Sequence, residues 1–304
     1  MTSGEKSSPN DIGQKHSVSG YVTVNFVKTT TELRRHLAES HGRNRIALVP
    51  TMGCLHEGHL SLIRKARKLA DTVVVSIYVN PLQFGPDEDF ASYPRNPEND
   101  AAACKAEGVD IIFHPDNLYP NGHPKVRLTV QEMSDCLCGS HRPGHFDGVA
   151  TAVNILFNII RPDIAVFGEK DWQQLAIIKR MVADLHLPID IVSGKTVRET
   201  DGLAMSSRNR YLNEHERKLA GSIFSSLQLM AENAKKSDKN CKSLCKIAKN
   251  YLKMNKIDPE YLEIRHACTL ERLERLGGPP ARAFIAAKVG NARLIDNISL
   301  EDNT

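Results

Sequence analysis

The chain lacks the features that typify membrane proteins, secreted proteins and nucleic-acid-binding proteins. No apolar run reaches the roughly 18 residues of a transmembrane helix, and the first residues lack the apolar segment of a secretory signal. The 40 basic residues are nearly balanced by 36 acidic ones, and the net charge of +4 is too scattered to indicate a nucleic-acid site. We therefore expect a cytoplasmic protein whose partners include neither membranes nor nucleic acids.

The cysteines are also few and do not form a recognisable framework. Their number is odd and none lies in a C-x-x-C motif, which is typical of free thiols in a reducing compartment. Cys136 and Cys138 lack a second pair that would complete a zinc site, so we assign no structural metal. The seven positions are Cys54, Cys104, Cys136, Cys138, Cys241, Cys245 and Cys268.

The composition that remains, 41% hydrophobic and 25% charged over 304 residues, is that of a globular protein with one large or two smaller domains. Short apolar runs alternate with helical patterns, which predicts a doubly wound parallel sheet of the α/β class. These predicted strands cover residues 46–49, 73–79, 111–113, 164–167 and 189–192.

Beyond about residue 197 the pattern changes to a lysine-rich helical stretch, residues 214–253, and to strands near 261–264 and 284–289. This pattern predicts a smaller α+β domain. We expect a disordered leader over residues 1–24, a larger domain over 25–196 and a smaller C-terminal domain over 197–304. The lysines at 234–239 could suggest RNA, although a solvated helix end is the favoured interpretation.

The segment 50–59 carries the strongest functional signal. It joins an apolar strand to an amphipathic helix through a turn that contains Gly53 and Gly58. A helix N-terminus offers unpaired N–H groups to an anion, and His56 and His59 can share one helical face. The pattern favours a phosphate site, and the alternative is an ordinary turn with surface histidines.

Three further loops are expected to reach the same site, because ligands bind at the carboxyl ends of parallel strands. Asn80 and Gln83 follow one strand and offer amides, whereas Gly168, Lys170 and Asp171 follow another. The polar stretch 204–209 offers two hydroxyls and a guanidinium that suit phosphate oxygens. Each loop alone could be a helix cap or an ordinary linker, and their combination indicates a site.

Six motifs together resemble one family, the pantothenate synthetases (pantoate–β-alanine ligases) of the nucleotidyltransferase superfamily. The resemblance spans roughly residues 25–298. The motifs are PTMG at 50–53, HEGH at 56–59, NPLQF at 80–84, RPGHFDGV at 142–149, FGEKD at 167–171 and MSSRNRYL at 205–212.

This resemblance implies that residues 25–196 form a Rossmann-like domain that binds nucleotide and pantoate, and that residues 197–304 form a lid domain. It implies the ATP-dependent joining of pantoate to β-alanine, through a pantoyl adenylate, to give pantothenate, AMP and pyrophosphate. It implies that His59 is the proton donor and that protonated His59 stabilises the leaving pyrophosphate. The implied catalytic residues are His59, His56, Lys170 and Arg208. The implied ATP contacts are Met52, Gly53, His56, His59, Gly168, Glu169, Lys170, Asp171, Val197, Met205, Ser206, Ser207 and Arg208. The implied pantoate and β-alanine contacts are Gln83, Gln174 and Asn80.

The resemblance also implies Mg²⁺ and a homodimer. The sequence does not identify a protein ligand of Mg²⁺, and Asp100 is the one candidate that we consider. The departures from the family pattern are small: Cys54 occupies a variable position, and Trp172 replaces what is often a tyrosine. We consider a reactive Cys54 thiol and favour an inert one.

Two other functions stay open at this point. A plain nucleotidyltransferase would leave AMP on its product and would need no β-alanine. A nucleotide-binding regulator would have lost a reacting residue, whereas the histidines, Lys170 and the stretch 206–208 are all present.

Overall fold

The structure is a computed structural model and describes residues 24–86, 88–236 and 239–301. The predicted leader falls almost wholly on residues 1–23, which lie outside the described residues. The strands are β1 (Asn25–Val27), β2 (Ile46–Thr51), β3 (Thr72–Ile77), β4 (Ile111–Phe113), β5 (Ile164–Gly168), β6 (Asp190–Gly194), β7 (Pro259–His266), β8 (Ala281–Val289) and β9 (Ala292–Ser299). The helices are α1 (Thr30–Leu37), α2 (Glu57–Leu69), α3 (Pro97–Ala106), α4 (Leu137–His141), α5 (His145–Ile160), α6 (Trp172–Asp184), α7 (Glu214–Lys236) and α8 (Cys241–Met254).

The larger sheet has six parallel strands in the order β1-β4-β3-β2-β5-β6. The central strands are buried on both faces, as parallel sheets covered by helices require, and β3 is buried at every position. Their side chains pack with α2 and α3 on one face and with α1 and α5 on the other. The predicted α/β class is therefore confirmed.

The second sheet is antiparallel, in the order β7-β8-β9, and packs with α7 and α8 around its own apolar cluster. This is the smaller α+β unit that the sequence predicts. The boundary between residues 196 and 197 stays a prediction. Across the described residues, no helix is both long and apolar enough to span a membrane.

Several elements differ from the sequence prediction. The predicted strand 73–79 ends at Ile77, and the helical stretch 214–253 is divided into α7 and α8. Asn240 begins α8 because its side chain accepts a hydrogen bond from the backbone N–H of Ser243, which is the role of an N-cap. The sequence prediction also lacks β1, α1 and β9.

Candidate active site

Four loops that follow strands β2, β3, β5 and β6 meet around one cavity of about 240 Å³. The stretch 205–208 closes a further side. This convergence is the one expected at the carboxyl edge of a parallel sheet. Of the predicted residues, the cavity is lined by Met52, His56, His59, Asn80, Gln83, Gly168, Lys170, Asp171, Gln174, Val197, Met205, Ser206, Ser207 and Arg208.

The turn between β2 and α2 is held from behind by Asp100 of α3. The two carboxylate oxygens of Asp100 accept the backbone N–H groups of Cys54 and Leu55 at 2.9 and 2.7 Å. Gly53 has φ +82°, and a Cβ there would lie 2.9 Å from the Asp100 carboxylate, so this position requires glycine. Gly53 therefore shapes the turn and does not line the cavity.

Asp100 is a poor candidate for a metal ligand because it is buried and both its oxygens hold the turn. Among the described residues, no group of three or more His, Cys, Asp or Glu side chains could hold a metal ion. The cysteine in the turn, Cys54, is also buried, and burial raises the pKa of its thiol. This supports the interpretation of Cys54 as an inert thiol.

His56 and His59 form a reciprocal cap at the start of α2. The Nδ1 atom of His56 accepts the backbone N–H of Gly58 at 3.2 Å, and the Nδ1 atom of His59 accepts that of His56 at 3.3 Å. The accepting role of Nδ1 assigns the ring proton to Nε2 in both residues. The rings lie 4.1 Å apart, and each keeps an Nε2–H donor for a ligand.

The surroundings of both histidines favour the neutral imidazole over its protonated form. Burial, followed by the charge of Lys170, lowers the pKa of His56 to about 4. Burial, followed by the neighbouring His56 and Lys170, lowers the pKa of His59 to about 3. The low pKa values and the accepting role of Nδ1 favour neutral rings here, and the protonated His59 that the family resemblance implies during pyrophosphate release stays a prediction.

Gln83 is fixed by contacts to both its side chain and its backbone. Its Nε2 donates to the Met52 sulfur at 2.8 Å, and its Oε1 accepts from Asn80 Nδ2 at 3.1 Å. Gly148 of α5 packs so closely that a Cβ there would lie 2.2 Å from the Leu82 carbonyl oxygen. Asn80 is itself buried, and it also donates to Gly148 O and accepts from Tyr119 OH. Asn80 therefore positions Gln83, and its predicted contact with pantoate or β-alanine stays a prediction.

The turn after β5 presents Lys170 and is held by the second sheet. Asn297 of β9 donates to the carbonyl oxygens of Glu169 and Lys170, both at 2.9 Å. The Lys170 ammonium lies 3.7 Å from the Asp171 carboxylate and is only partly exposed. The Glu169 carboxylate accepts from the Ser193 hydroxyl, and Glu169 does not line the cavity, so its predicted ATP contact lacks support.

Gln173 and Gln174 have different environments although they are adjacent in α6. The Gln173 amide is buried and bonds to Cys138 N, Met133 O and Cys136 O, which makes it structural. Gln174 lines both this cavity and an adjoining one of about 410 Å³ between the two sheets. The Gln174 amide is therefore placed to meet a ligand.

Arg142 and His145 form a cluster beside Gln83 that the sequence analysis does not assign to a role. Arg142 pairs with the carboxylate of Glu88, and both Arg142 and His145 donate to the backbone carbonyl oxygen of Gln83. Burial, followed by the charge of Arg142, lowers the pKa of His145 to about 4. These two residues belong to the RPGHFDGV motif, but only the fold shows that they face the strand-end loops.

The stretch 205–208 is anchored at both ends. A backbone hydrogen bond of 3.0 Å joins Met205 to Val197, and the Ser206 hydroxyl accepts the backbone N–H of Arg208. The Ser207 hydroxyl lies 3.3 Å from the Tyr93 hydroxyl. Arg208 forms a two-pronged ion pair with Asp89, at 3.0 and 2.8 Å.

Cationic side chains outnumber carboxylates on the cavity wall, and two of these cations, Arg142 and Arg208, pair with carboxylates that do not line it. Four cationic side chains line it, whereas Asp171 is the one carboxylate that we find there among the described residues. Such a surface attracts anions and stabilises negative charge that develops on phosphates. The four cations are Arg142, Lys170, Lys195 and Arg208.

Comparison with known proteins gives a consistent result. Residues 25–299 match the family model for pantoate-beta-alanine ligase. A pantothenate synthetase from Novosphingobium aromaticivorans is 47% identical over 266 residues, which cover 86% of this chain and 93% of the relative. A pantothenate synthetase from a Geobacillus species is 47% identical over 284 residues, which cover 92% of this chain and 99% of the relative.

Solved structures agree with these sequence matches. The crystal structure of pantothenate synthetase from Thermus thermophilus is 42% identical, with a TM-score of 0.86, and the match covers 91% of this chain and 99% of that one. Pantoate-beta-alanine ligase from Francisella tularensis, crystallised with beta-gamma ATP and beta-alanine, is 31% identical with a TM-score of 0.77. That match covers 92% of this chain and 99% of the relative.

Proposed function

The chain belongs to the pantoate–β-alanine ligase family, and we propose that it joins its two substrates through an enzyme-bound pantoyl adenylate. The family makes it a ligase that forms pantothenate from pantoate and β-alanine with ATP. The observation that carries the adenylate proposal is the strand-end cavity, where cations, histidine N–H donors and side-chain amides lie together. These groups suit a nucleotide and a hydroxy acid at the same time.

In the first step, a carboxylate oxygen of pantoate attacks the α-phosphorus of ATP and pyrophosphate leaves. A free carboxylate is a poor acyl donor, and attachment of AMP converts one of its oxygens into a good leaving group. We assign charge stabilisation on the phosphates to Lys170 and Arg208, and hydrogen-bond donation to the neutral Nε2–H groups of His56 and His59. The hydroxyls of Ser206 and Ser207 complete this donor set.

The second step forms the amide. The amine of β-alanine attacks the carbonyl carbon of the adenylate, the bond to the AMP oxygen breaks, and the amine proton is lost to solvent or base. The cavity of about 410 Å³ between the sheets adjoins the adenylate position at Lys170, Asp171 and Gln174. Its position supports the approach of β-alanine from that side.

Pantoate carries two hydroxyls and two methyl groups, and the cavity offers partners for both. We place the amides of Gln83 and Gln174 on its oxygens, because amides orient hydroxyl and carboxylate groups without adding charge. The apolar residues Val149 and Val153 of α5 line the same cavity and suit the methyl groups. For the nucleotide, we retain Met52, Gly168, Asp171, Val197 and Met205 as wall residues.

Magnesium enters this proposal as part of MgATP. Mg²⁺ keeps several waters and binds mainly through substrate phosphates, where it neutralises their charge. A wall with four cations and one carboxylate among the described residues fits a metal that the phosphates carry. The residues of this chain act on the phosphate oxygens that the metal leaves free.

We also propose a homodimer and a cytosolic location. The resemblance to the family implies the dimer, and its test is the mass of the purified protein measured by light scattering during size-exclusion chromatography. A monomeric mass at working concentrations would contradict the dimer. The buried thiols of Cys54, Cys104 and Cys138 are free, which supports a reducing compartment.

The test of the proposed function is the half-reaction. With MgATP and pantoate alone, we expect a burst of pyrophosphate that approaches one equivalent per site; with β-alanine added, we expect steady AMP release matched by pantothenate. Lys170→Met keeps the bulk of the side chain and should slow the burst by about 10²- to 10³-fold. Lys179→Met, at an exposed position of α6, is the control.

The two rival functions give different outcomes in the same assay. A free adenylylated product that accumulates without β-alanine would favour a plain nucleotidyltransferase. Absence of nucleotide cleavage in folded protein would favour a nucleotide-binding regulator.

A further inference from the structure

The guanidinium of Arg208 uses two of its three nitrogens in an ion pair with a carboxylate of the same chain. Its Nε and Nη2 atoms donate to the two carboxylate oxygens of Asp89 at 3.0 and 2.8 Å. Asp89 lies in the segment that follows β3, far from Arg208 in the sequence. The side chains of Arg208 and Asp89 are 27% and 24% exposed, so the pair is largely shielded from water.

A carboxylate and a phosphate present similar pairs of oxygens to the guanidinium fork. The Asp89 carboxylate therefore holds Nε and Nη2, one of the donor pairs with which a guanidinium binds a phosphate in a two-pronged geometry. We propose that Asp89 is an internal counter-ion that competes with the phosphates of ATP for Arg208, so that nucleotide binding must break the Asp89–Arg208 pair. This inference rests on the phosphate-binding role proposed for Arg208.

Further contacts join the two segments that carry the Asp89–Arg208 pair, so replacement of Asp89 by a phosphate would affect both segments. Tyr93, four residues after Asp89, places its hydroxyl 3.3 Å from the Ser207 hydroxyl, and the Arg208 guanidinium lies 5.8 Å from the Tyr93 ring centroid. The segment 89–93 thus contacts the stretch 206–208 at neighbouring points. When a phosphate binds Arg208, the ion pair with Asp89 breaks. When pyrophosphate dissociates, Asp89 can pair with Arg208 again.

The competition has a cost in nucleotide affinity and a benefit in product release. Breaking the Asp89–Arg208 ion pair offsets part of the favourable free energy of the Arg208–phosphate contact. The measured ATP affinity is therefore lower than the contact alone would give. The same pair weakens the binding of pyrophosphate and favours its departure. Asp89 acts here through Arg208 and is a positioning residue.

The test is a double-mutant cycle on the full-length protein, read as the dissociation constant of MgATP by calorimetry in the absence of pantoate. The variants are Asp89→Asn, Arg208→Ala and the double variant, and adenosine serves as a ligand that lacks phosphate. We expect Asp89→Asn to tighten MgATP binding by about tenfold and to leave adenosine binding unchanged. In the Arg208→Ala background, the same change should shift the dissociation constant less than about twofold.

Two further variants are controls, one for the charge at position 89 and one for the loss of a carboxylate elsewhere. Asp89→Glu retains the charge and should bind MgATP within about twofold of the parent protein. Asp184→Asn makes the same charge change in an exposed pair on α6 and should have no effect on MgATP binding.

The outcomes separate this inference from the proposed function. Equal tightening by Asp89→Asn in both backgrounds would indicate general repulsion and would overturn the counter-ion role. Weaker binding in Arg208→Ala without tightening in Asp89→Asn would overturn that role and leave the phosphate role of Arg208 standing. Unchanged MgATP binding in Arg208→Ala would overturn both.

Discussion

The histidine pair at the start of α2 combines two tasks in each ring. Nδ1 caps the helix and Nε2–H is left for the ligand, so a suitable substitution can separate the tasks. In His59→Asn, the side-chain oxygen stands near the position of Nδ1 and can still accept the N–H of His56, whereas the Nε2–H donor is lost.

We expect His59→Asn to retain the fold and to lower the turnover number for pantothenate formation by about 10²- to 10³-fold. Turnover and the melting temperature would be measured on the same preparation, with His41→Asn, at an exposed position, as the matched control. Near-normal turnover in folded His59→Asn would refute the role of this donor.

Single residues were predictable from the sequence where they follow a strand and belong to a contiguous motif. His56, His59, Gln83, Lys170 and Arg208 all line the cavity. The lowered pKa of His59 was not predictable, because it depends first on burial and then on the neighbouring His56 and Lys170, and only the fold shows the burial and brings Lys170 close. The same holds for Asp89, whose partner lies on a distant segment.

At the scale of the elements, the turn between β2 and α2 depends on α3 through Asp100. Asp100→Asn keeps the size of the side chain but directs an NH₂ group at one of the two backbone N–H donors. We expect this change to lower the free energy of unfolding by about 1–3 kcal/mol and to weaken ATP binding, because the histidine turn loses its support. Urea unfolding and the Michaelis constant for ATP measure these effects.

The control for Asp100→Asn is Asp116→Asn, whose side chain is 81% exposed in its ion pair with Lys28. That change should alter stability by less than about 0.5 kcal/mol. An Asp100→Asn protein as stable as the parent would contradict the supporting role of Asp100.

The helix α5 positions the segment 80–83 by close contact at Gly148. A methyl group there would collide with the Leu82 carbonyl oxygen, so Gly148→Ala should displace Gln83. We expect the Michaelis constant for pantoate to rise by about tenfold or more, with a smaller change for ATP. In Gly278→Ala a Cβ meets nothing within 4 Å, and the kinetic constants should stay unchanged.

If Gly148→Ala and Gly278→Ala had the same pantoate constant, the close approach of α5 would not set the position of Gln83. A crystal structure of Gly148→Ala would then show whether α5 shifts to make room.

The strands β1 and β9, which were not predicted, lack the residue pattern by which a buried strand is recognised. β9 places Asp296 and Asn297 in the interior, where Asp296 pairs with Arg198 and Asn297 holds the Lys170 turn. Buried polar residues break the apolar alternation by which a strand is recognised. β1 has only three residues, too few for any periodic signal.

At the scale of the whole molecule, the neutral histidines link stability to pH. His56, His59 and His145 have pKa values of about 4, 3 and 4 in the folded protein, below the ordinary value of 6.5. Between about pH 6.5 and about pH 4 the unfolded chain therefore binds more protons than the folded one at these sites, and stability falls as the pH is lowered.

We expect the free energy of unfolding in urea to be lower at about pH 5 than at about pH 7, and His145→Asn to reduce this difference. Asparagine does not titrate, and its NH₂ group can still donate to the Gln83 carbonyl oxygen as His145 Nδ1 does. An undiminished pH dependence in folded His145→Asn would show that His145 does not contribute to it.

The overall architecture was predictable because the alternation of apolar strands with amphipathic helices extends over most of the chain. What the sequence could not supply is the contact between the two sheets. Asn297 reaches from β9 to the Lys170 turn, and the Trp172 indole donates to the Ala267 carbonyl oxygen at 2.7 Å. These contacts join residues far apart in the sequence, and no local pattern indicates them.

Formation of a pantoyl adenylate in the strand-end cavity transfers an oxygen from the carboxylate of pantoate to AMP, and isotope labelling measures this transfer. Pantoate labelled with ¹⁸O in its carboxylate would be converted with MgATP and β-alanine, and the AMP produced would be analysed by mass spectrometry. We expect each AMP to carry one labelled oxygen, because the bond between carbon and the bridging oxygen breaks in the second step. Unlabelled AMP, or label in a phosphate or pyrophosphate product, would contradict formation of the adenylate.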